Sequence, residues 1–204
     1  MVKRLIVLCL VVAGLVGIAV VVTLGVRTYR DAHPTDIHRY RSDIKTNDRA
    51  KHHLVVFYDL KCPDCKQLHE DVLTSPKMQR QFKSKDVDVK LIPHPILSNN
   101  GMSNAFANVA DSVNRHSGDK AYQQFIDIAY GHMEMNNPLD VMRKMKLPKD
   151  EQKQIEKDAE RGGLTSYART NKQRDRFNVK STPKVYLDDK AIDFDHVEAK
   201  INDL

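Results

Sequence analysis

The sequence predicts an α/β domain that carries an inserted helical subdomain and is preceded by one N-terminal transmembrane helix. Three observations predict this fold class. An uncharged apolar run opens the chain, a strand-helix-strand order follows it, and a long stretch without strand signals precedes two further short strands. Two strands joined through a helix are expected to pair in parallel. A parallel pair needs a long crossover connection that returns the chain to the end of the sheet where the first strand began, and a helix provides it.

The apolar run comprises residues 5–26, which contain no charged side chain and are flanked by positively charged residues at both ends. At ~1.5 Å per residue a helix of this length extends roughly 33 Å, enough to cross a bilayer core of about 30 Å. A secretory signal has a shorter apolar core and a small-residue cleavage site, which residues 23–25 match only weakly. Residues 1–26 are therefore predicted to be an uncleaved membrane anchor.

A short N-terminus inside and a large polar domain outside is the simpler topology for such an anchor. We therefore expect a single-pass protein of the cell membrane with its domain extracytoplasmic, in an oxidising compartment. The domain contains only two cysteines, Cys62 and Cys65, and the third, Cys9, lies in the apolar run as a small residue facing lipid.

The formal net charge is +6, with basic and acidic residues interspersed along the chain. No basic block with interleaved aromatic residues occurs, which argues against nucleic-acid binding, and a mildly basic surface suits an anionic membrane. Residues 27–51 are polar and are predicted to form a stalk. Residues 52–204 are predicted to form the globular domain, since about 150 residues suffice for one core.

The domain is predicted to begin with a buried strand over residues 54–58, which are β-branched and aromatic. Apolar side chains at helical spacing predict a helix over 62–73, and Ser75-Pro76 opens a second helix that extends to residue 82. Residues 87–92 alternate and then become apolar, as a second strand does, and Pro93 ends it.

The helical insertion is predicted to span about residues 98–179. Its amphipathic patterns indicate several helices, one of which begins at Asn137-Pro138 as a cap followed by proline. The other predicted helices cover residues 104–113, 121–129, 148–159 and 165–177. Strand signals return at residues 184–187 and 191–194 around a turn, and Asp195 is expected to cap a closing helix over 196–202.

The most informative motif is Cys62-Pro63-Asp64-Cys65, placed between the first strand and the first helix. Unsatisfied N–H groups and the macrodipole at a helix N-terminus favour ionisation of a thiol there, which predicts Cys62 as the nucleophile. Cys65 lies three residues further along and points back under the turn, which predicts a resolving thiol. Pro63 suits an early helical position because its missing N–H has no intrahelical partner.

Two alternatives compete with redox chemistry. A Cys-x-x-Cys pair forms half of many zinc sites, but the histidines available to complete one, including His69 one turn after Cys65, lack paired ligand spacing. An inert structural disulfide is the other alternative. Redox function is favoured over both, and no metal site is predicted.

One family shares three features of this sequence. They are residues 57–66 at the end of the first strand, the helical insertion, and residues 177–187 with Thr182-Pro183 at their centre. This combination is similar to the DsbA-like thiol:disulfide oxidoreductases of the thioredoxin superfamily, especially the membrane-anchored Gram-positive type. The resemblance covers roughly residues 47–204. It implies a thioredoxin fold and an enzyme that acts by thiol-disulfide exchange.

The resemblance also implies that Pro183 follows a cis peptide bond and faces the cysteine pair. The backbone of Thr182 is then expected to lie exposed beside the sulfurs, where an extended substrate chain pairs with it as an added strand. The implied partners are unfolded or reduced exported proteins, which receive the disulfide, and a quinone-linked membrane reoxidase. No cofactor is implied beyond the Cys62–Cys65 disulfide itself.

Other functions remain open at this stage. An extracytoplasmic reductase uses the same pair in the opposite direction. A holdase or accessory binding protein retains the cysteines only as a structural disulfide, and a metal-delivery module uses them as ligands.

Two positions depart from the family pattern. Val56 stands where thioredoxin-like proteins often carry a buried acid, and Asp59 is expected to be solvated or capping, which leaves proton transfer at Cys65 to water or an unidentified group. Asp64 stands where strongly oxidising relatives have histidine, and its charge disfavours the Cys62 thiolate. Nearby lysines and the helix end favour it, so the expected reduction potential lies between ~−270 and ~−120 mV.

Overall fold

A computed structural model describes residues 20–22, 49–84, 86–96, 101–161 and 179–204 of the chain. Almost all of the predicted anchor and stalk, and the predicted helix over 165–177, lie outside the described residues. Within the described part of the chain, no helix has the length and apolar character needed to span a membrane. The domain described below belongs to the compact unit of residues 36–204.

Four strands form one mixed sheet in the order β2-β1-β3-β4. Strand β1 (His52–Tyr58) pairs in parallel with β2 (Val87–Pro93), from His52 opposite Val87 to Tyr58 opposite Pro93. Strand β3 (Lys184–Leu187) is antiparallel to β1, and β4 (Lys190–Ile192) is antiparallel to β3. The predicted parallel pairing of the first two strands is confirmed.

Two helical segments connect β1 to β2. Helix α1 (Pro63–Leu68) continues without a break into a π-helical segment, His69–Leu73, and helix α2 (Pro76–Ser84) follows. The sequence predicted a single helix over 62–73 and gave no signal for the wider π-helical turns, which often occur at functional sites. Leu68, Val72 and Leu73 are buried, in agreement with their spacing.

The helical insertion lies between β2 and β3. Its first element is α3 (Met102–Gly131), where the sequence predicted two separate helices. Gly118, with φ of 79° and ψ of 179°, interrupts the helical backbone and divides α3 into two segments. These segments correspond to the two predicted helices. Helix α4 (Pro138–Arg143) has the predicted Asn137 cap, whose side chain accepts a hydrogen bond from the Leu139 N–H.

The insertion continues with α5 (Lys149–Glu160), which begins one residue after the predicted start at Pro148. At the C-terminal end, β3 and β4 are joined by the two-residue loop Asp188-Asp189, and both residues have positive φ, as a tight hairpin turn requires. The closing helix is a 3₁₀ turn, Phe194–His196, followed by α6 (Val197–Asn202).

The predicted cap at Asp195 is wrong. Asp195 lies within the 3₁₀ turn, and His196 occupies the cap position of α6 without a side-chain hydrogen bond. The turn arises because the His196 N–H donates to the Asp193 carbonyl, and the α-helix starts one residue later than predicted.

The main core packs the insertion against one face of the sheet and against α1. Its fully buried residues come from β1, from both segments of α3 and from the later helices, including Leu54, Phe106, Phe125, Met142 and Ile155. A smaller cluster forms around two other β1 residues, Val55 and Phe57. It also contains Ile92, Val179 and Tyr186. Alternate β1 residues thus point to opposite faces, and the C-terminal end of β1 delivers the cysteine turn to the boundary between sheet and insertion.

Candidate active site

The two cysteines lie at the start of α1, immediately after the turn that leaves β1. Cys62 occupies the cap position with an extended backbone, and its carbonyl accepts the Lys66 N–H at 3.1 Å. Both thiols are free, so the structure shows the dithiol form of the pair. Both residues are buried, Cys65 more deeply at 2% exposed and Cys62 at 6%, whereas Pro63 and Asp64 between them are exposed.

The surroundings of Cys62 favour its thiolate. Hydrogen bonding from the Cys65 thiol is the largest influence that lowers the pKa of Cys62 from 9.0 to about 6, and it outweighs the opposing effect of burial. The backbone N–H groups of Cys65 and Asp64 add to it. The largest influences are hydrogen bonds and burial, and not the charges of Asp64 and the nearby lysines to which the sequence pattern pointed.

The surroundings of Cys65 have the opposite effect. Burial raises the pKa of the Cys65 thiol far above its ordinary value of 9.0, and hydrogen bonding to the Cys62 thiolate adds to this. At neutral pH one sulfur is therefore ionised and the other is protonated. That difference suits an attacking thiolate paired with a thiol that holds its proton until it is needed.

The Thr182-Pro183 segment at the start of β3 lies beside the pair. The peptide bond between these residues is cis, as the family resemblance implies. The Cys62 thiol contacts the Thr182 carbonyl at 3.4 Å between Sγ and O. Contrary to expectation, Thr182 is only 7% exposed, and its hydroxyl oxygen is buried without a hydrogen-bond partner among the described residues. Pro183 is half-buried.

Asp59, expected to be solvated or capping, is buried at 2% exposed and is therefore not solvated. Its carboxylate joins two loops, because Oδ1 accepts the Lys61 N–H at 2.9 Å and Oδ2 accepts the Ile96 N–H at 3.1 Å. Its own N–H points at the Cys65 sulfur, with 3.5 Å between N and Sγ. Alternation along the strand does not extend into this turn, which is why sequence parity misplaced the residue.

Lys61 connects the cysteine turn to the helical insertion. Its Nζ donates to the carbonyl oxygens of Met133 at 2.5 Å and Met135 at 2.9 Å, and lies 4.8 Å from the centre of the Phe106 ring. Burial is the main influence on this amine and lowers its pKa. The side chain is thus committed to the insertion, and the side chains of Met133 and Met135 pack against the core.

Three buried tyrosines and a buried histidine lie near the cysteine turn. The Tyr58 and Tyr122 hydroxyls are 2.7 Å apart, and the Tyr130 hydroxyl donates to the Asp59 carbonyl at 3.3 Å. His69 is 3% exposed, packs its ring 5.0 Å from that of Tyr130, and pairs through Nε2 with Asp127 Oδ1 at 2.9 Å. In the sequence His69 stands out only as a candidate metal ligand, although its spacing of four from Cys65 is a usable signal.

Metal binding has no support in the described residues, where no group of three or more His, Cys, Asp or Glu side chains is arranged to hold an ion. The chemistry that the site can perform follows from its two unequal thiols. A thiolate at Cys62 attacks or accepts a sulfur, and Cys65 closes or opens the intramolecular bond.

Comparison with known proteins agrees with this geometry. The model of the family described as thioredoxin matches residues 46–203. No curated protein matches the chain. Among solved structures, BdbD from Bacillus subtilis in its oxidised form is similar with a TM-score of 0.63 and 20% identity, over 77% of this chain and 89% of that one.

Two other solved structures are described as thiol-disulfide exchange proteins. Alpha-DsbA2 from Wolbachia pipientis is similar with a TM-score of 0.61 and 18% identity, over 82% of this chain and 92% of that one. MdbA from Actinomyces oris, a thiol-disulfide oxidoreductase, has a TM-score of 0.63 and 15% identity, over 76% of this chain and 80% of that one. Similarity at these identities establishes a shared fold.

Proposed function

The chain belongs to the thioredoxin family, and from that premise we propose that it is an extracytoplasmic oxidase that introduces disulfide bonds into exported proteins. The fold that the sequence predicted, an α/β thioredoxin fold resembling that of DsbA-like oxidoreductases, is confirmed. The proposal adds a direction, a substrate class and a location to the thiol-disulfide exchange typical of that fold.

The observation that carries the proposal is the low pKa of Cys62, about 6, beside a Cys65 thiol whose pKa is raised. A thiolate that the fold stabilises makes the reduced pair more stable relative to the disulfide. The disulfide is then easily given away, which favours the oxidase over the reductase.

The oxidising half-reaction proceeds in two steps. A substrate thiolate attacks Cys62 in the Cys62–Cys65 disulfide, and Cys65 leaves with a proton as a mixed disulfide forms. A second substrate thiol then attacks the mixed disulfide and releases Cys62 as the thiolate. Thr182 and Pro183 lie beside the attacked sulfur, and we propose that an extended substrate binds there.

The reduced pair must be oxidised again for each turnover. We propose a quinone-linked membrane reoxidase as the partner, because the apolar run over residues 5–26 would hold the domain at a membrane surface. The same run is the basis for the proposed single-pass location with the domain outside. The exchange requires no cofactor beyond the cysteine pair.

Oxidative refolding of a reduced, unfolded protein tests this function. The full-length chain with Cys9 replaced by serine, preloaded with the Cys62–Cys65 disulfide, should transfer one disulfide per molecule and accelerate recovery of the substrate's activity. The matched control is the same chain with Cys62→Ser, which should perform no better than buffer. Rapid reduction of an already oxidised substrate, with no transfer to the reduced one, would identify a reductase and contradict the proposal.

A further inference from the structure

Cys65 needs a partner for its proton in either direction of the exchange. It leaves as a thiolate when the pair is attacked, and it must lose a proton before it attacks a mixed disulfide at Cys62. Its sulfur is buried, and the Asp59 N–H that points at it donates a hydrogen bond and does not accept a proton. The carboxylate of Asp59 accepts two backbone N–H groups and spans two loops.

His69 is placed to exchange that proton. It follows Cys65 by four residues, a spacing at which helical side chains share a face with Cβ atoms about 5–6 Å apart. The helix is intact between them, because the His69 N–H donates to the Cys65 carbonyl. Nδ1 of His69 is buried and has no hydrogen-bond partner among the described residues, so it is a vacant acceptor when Nε2 carries the proton.

The other side of the imidazole leads to solvent. Nε2 of His69 lies 2.9 Å from Oδ1 of Asp127, whose side chain is 49% exposed whereas that of His69 is 4% exposed. Tyr130 packs against the ring and is anchored through its hydroxyl on the Asp59 carbonyl, which fixes the plane of the imidazole. One ring thus connects a buried vacant nitrogen to an exposed carboxylate.

From α3 the ring contacts Asp127 and the phenol of Tyr130. On its own helical segment, Lys66 and Glu70 pair with each other at 3.5 Å. Helix α6 presents buried Val197 and Ile201, while its charged residues are exposed. Helix α2 contributes buried Met78, and its Lys77 and Arg80 are not buried. Asp127 is therefore the charged side chain through which the ring can exchange a proton with solvent.

We propose that His69, with Asp127, relays the proton of the Cys65 thiol. When a mixed disulfide at Cys62 is resolved, the Cys65 proton passes to Nδ1 and the Nε2 proton passes to Asp127. The Cys65 thiolate attacks Cys62, the Cys62–Cys65 bond forms, and the partner sulfur leaves as a thiolate that takes a proton from water. In the oxidising direction the relay runs in reverse and protonates Cys65 as it leaves. This assignment rests on the proposed thiol-disulfide exchange.

The test isolates the resolving step. The reduced full-length chain, with Cys9→Ser, is mixed with excess oxidised glutathione, quenched with acid at intervals and analysed by mass for the glutathione adduct. In His69→Gln we expect the adduct to persist about 10-fold to 100-fold longer at pH 7, the range of a lost general base. Its resolution rate should rise tenfold per pH unit, while alkylation of Cys62 by iodoacetamide is unchanged.

Asp127→Asn provides a second variant at an exposed site, where folding is not at risk, and should slow the same step by a smaller factor. The control is His116→Gln. His116 also pairs through Nε2 with a carboxylate at 2.9 Å, but its partner is Asp158 of α5 and not Asp127. It should resolve the adduct like the unaltered chain. Resolution within twofold of the unaltered chain in both His69→Gln and Asp127→Asn would overturn the relay, as would equal slowing of alkylation and resolution. Failure of the unaltered chain to form an adduct at all would instead contradict the proposed function.

Discussion

Replacing Cys65 with serine is expected to convert the protein from a catalyst into a covalent trap. Cys62 still attacks a disulfide, but no resolving thiol remains, so adducts at Cys62 accumulate. Replacing Cys62 with serine removes the accessible nucleophile and should lower the exchange rate on the order of 10³-fold or more. Non-reducing electrophoresis and intact mass of the full-length chain with Cys9→Ser distinguish the two variants.

The two variants are expected to differ because the two thiols differ in burial and in pKa. Cys62→Ser should leave Cys65 almost unreactive towards iodoacetamide, whereas Cys65→Ser should leave Cys62 reactive. Equal adduct formation by the two variants would mean that both thiols are accessible and would contradict the assignment of nucleophile and resolving thiol.

The second large effect is a dependence of reactivity and stability on pH. Because the pKa of Cys62 is about 6 rather than 9.0, the rate of its alkylation in the reduced protein should rise with a midpoint near pH 6. A midpoint above 8 would contradict the proposed stabilisation of the thiolate. Cys65→Ser serves as the comparison, and its midpoint should be higher because it lacks the thiol that most strongly stabilises the Cys62 thiolate.

The same shift changes the free energy of unfolding. The folded chain loses the Cys62 proton at lower pH than the unfolded chain, so the stabilisation is fully present above pH 9 and is lost as the pH falls through about 6. Between pH 6 and pH 8 the reduced protein should gain about 1 to 2 kcal/mol relative to Cys62→Ser. Above about pH 9, ionisation of Cys65 in the unfolded chain opposes this gain.

Urea unfolding of reduced protein at several pH values measures this change, with the oxidised form as a control that lacks both ionisations. A stability difference that stays constant between pH 6 and pH 8 would show that Cys62 has an ordinary pKa.

Much of the fold was predictable because it follows from short-range patterns. The β-branched run at residues 54–58, the proline after Asn137 and the Asp188-Asp189 turn each specify local geometry. The joining of the two predicted helices into α3 across Gly118 and the 3₁₀ turn before α6 depend on single backbone angles and hydrogen bonds, which periodicity does not encode.

The site was predictable to the extent that its chemistry lies in contiguous motifs. Cys62, Cys65, Thr182 and Pro183 were identified from the two segments that carry them. Asp59, Lys61 and Tyr130 were missed or misassigned, because their roles depend on partners 37, 72 and 71 residues away in the chain. The burial of Asp59 in particular results from two backbone N–H groups that only the folded turn brings together.

The central claim is that the folded protein stabilises the dithiol form and therefore gives its disulfide away. An equilibrium redox titration of the full-length chain with Cys9→Ser in glutathione buffers, read by alkylation and mass, measures this directly. The account predicts a reduction potential between those of thioredoxin, about −270 mV, and DsbA, about −120 mV. A potential at or below that of thioredoxin would contradict it and would indicate a reductase or an inert structural bridge.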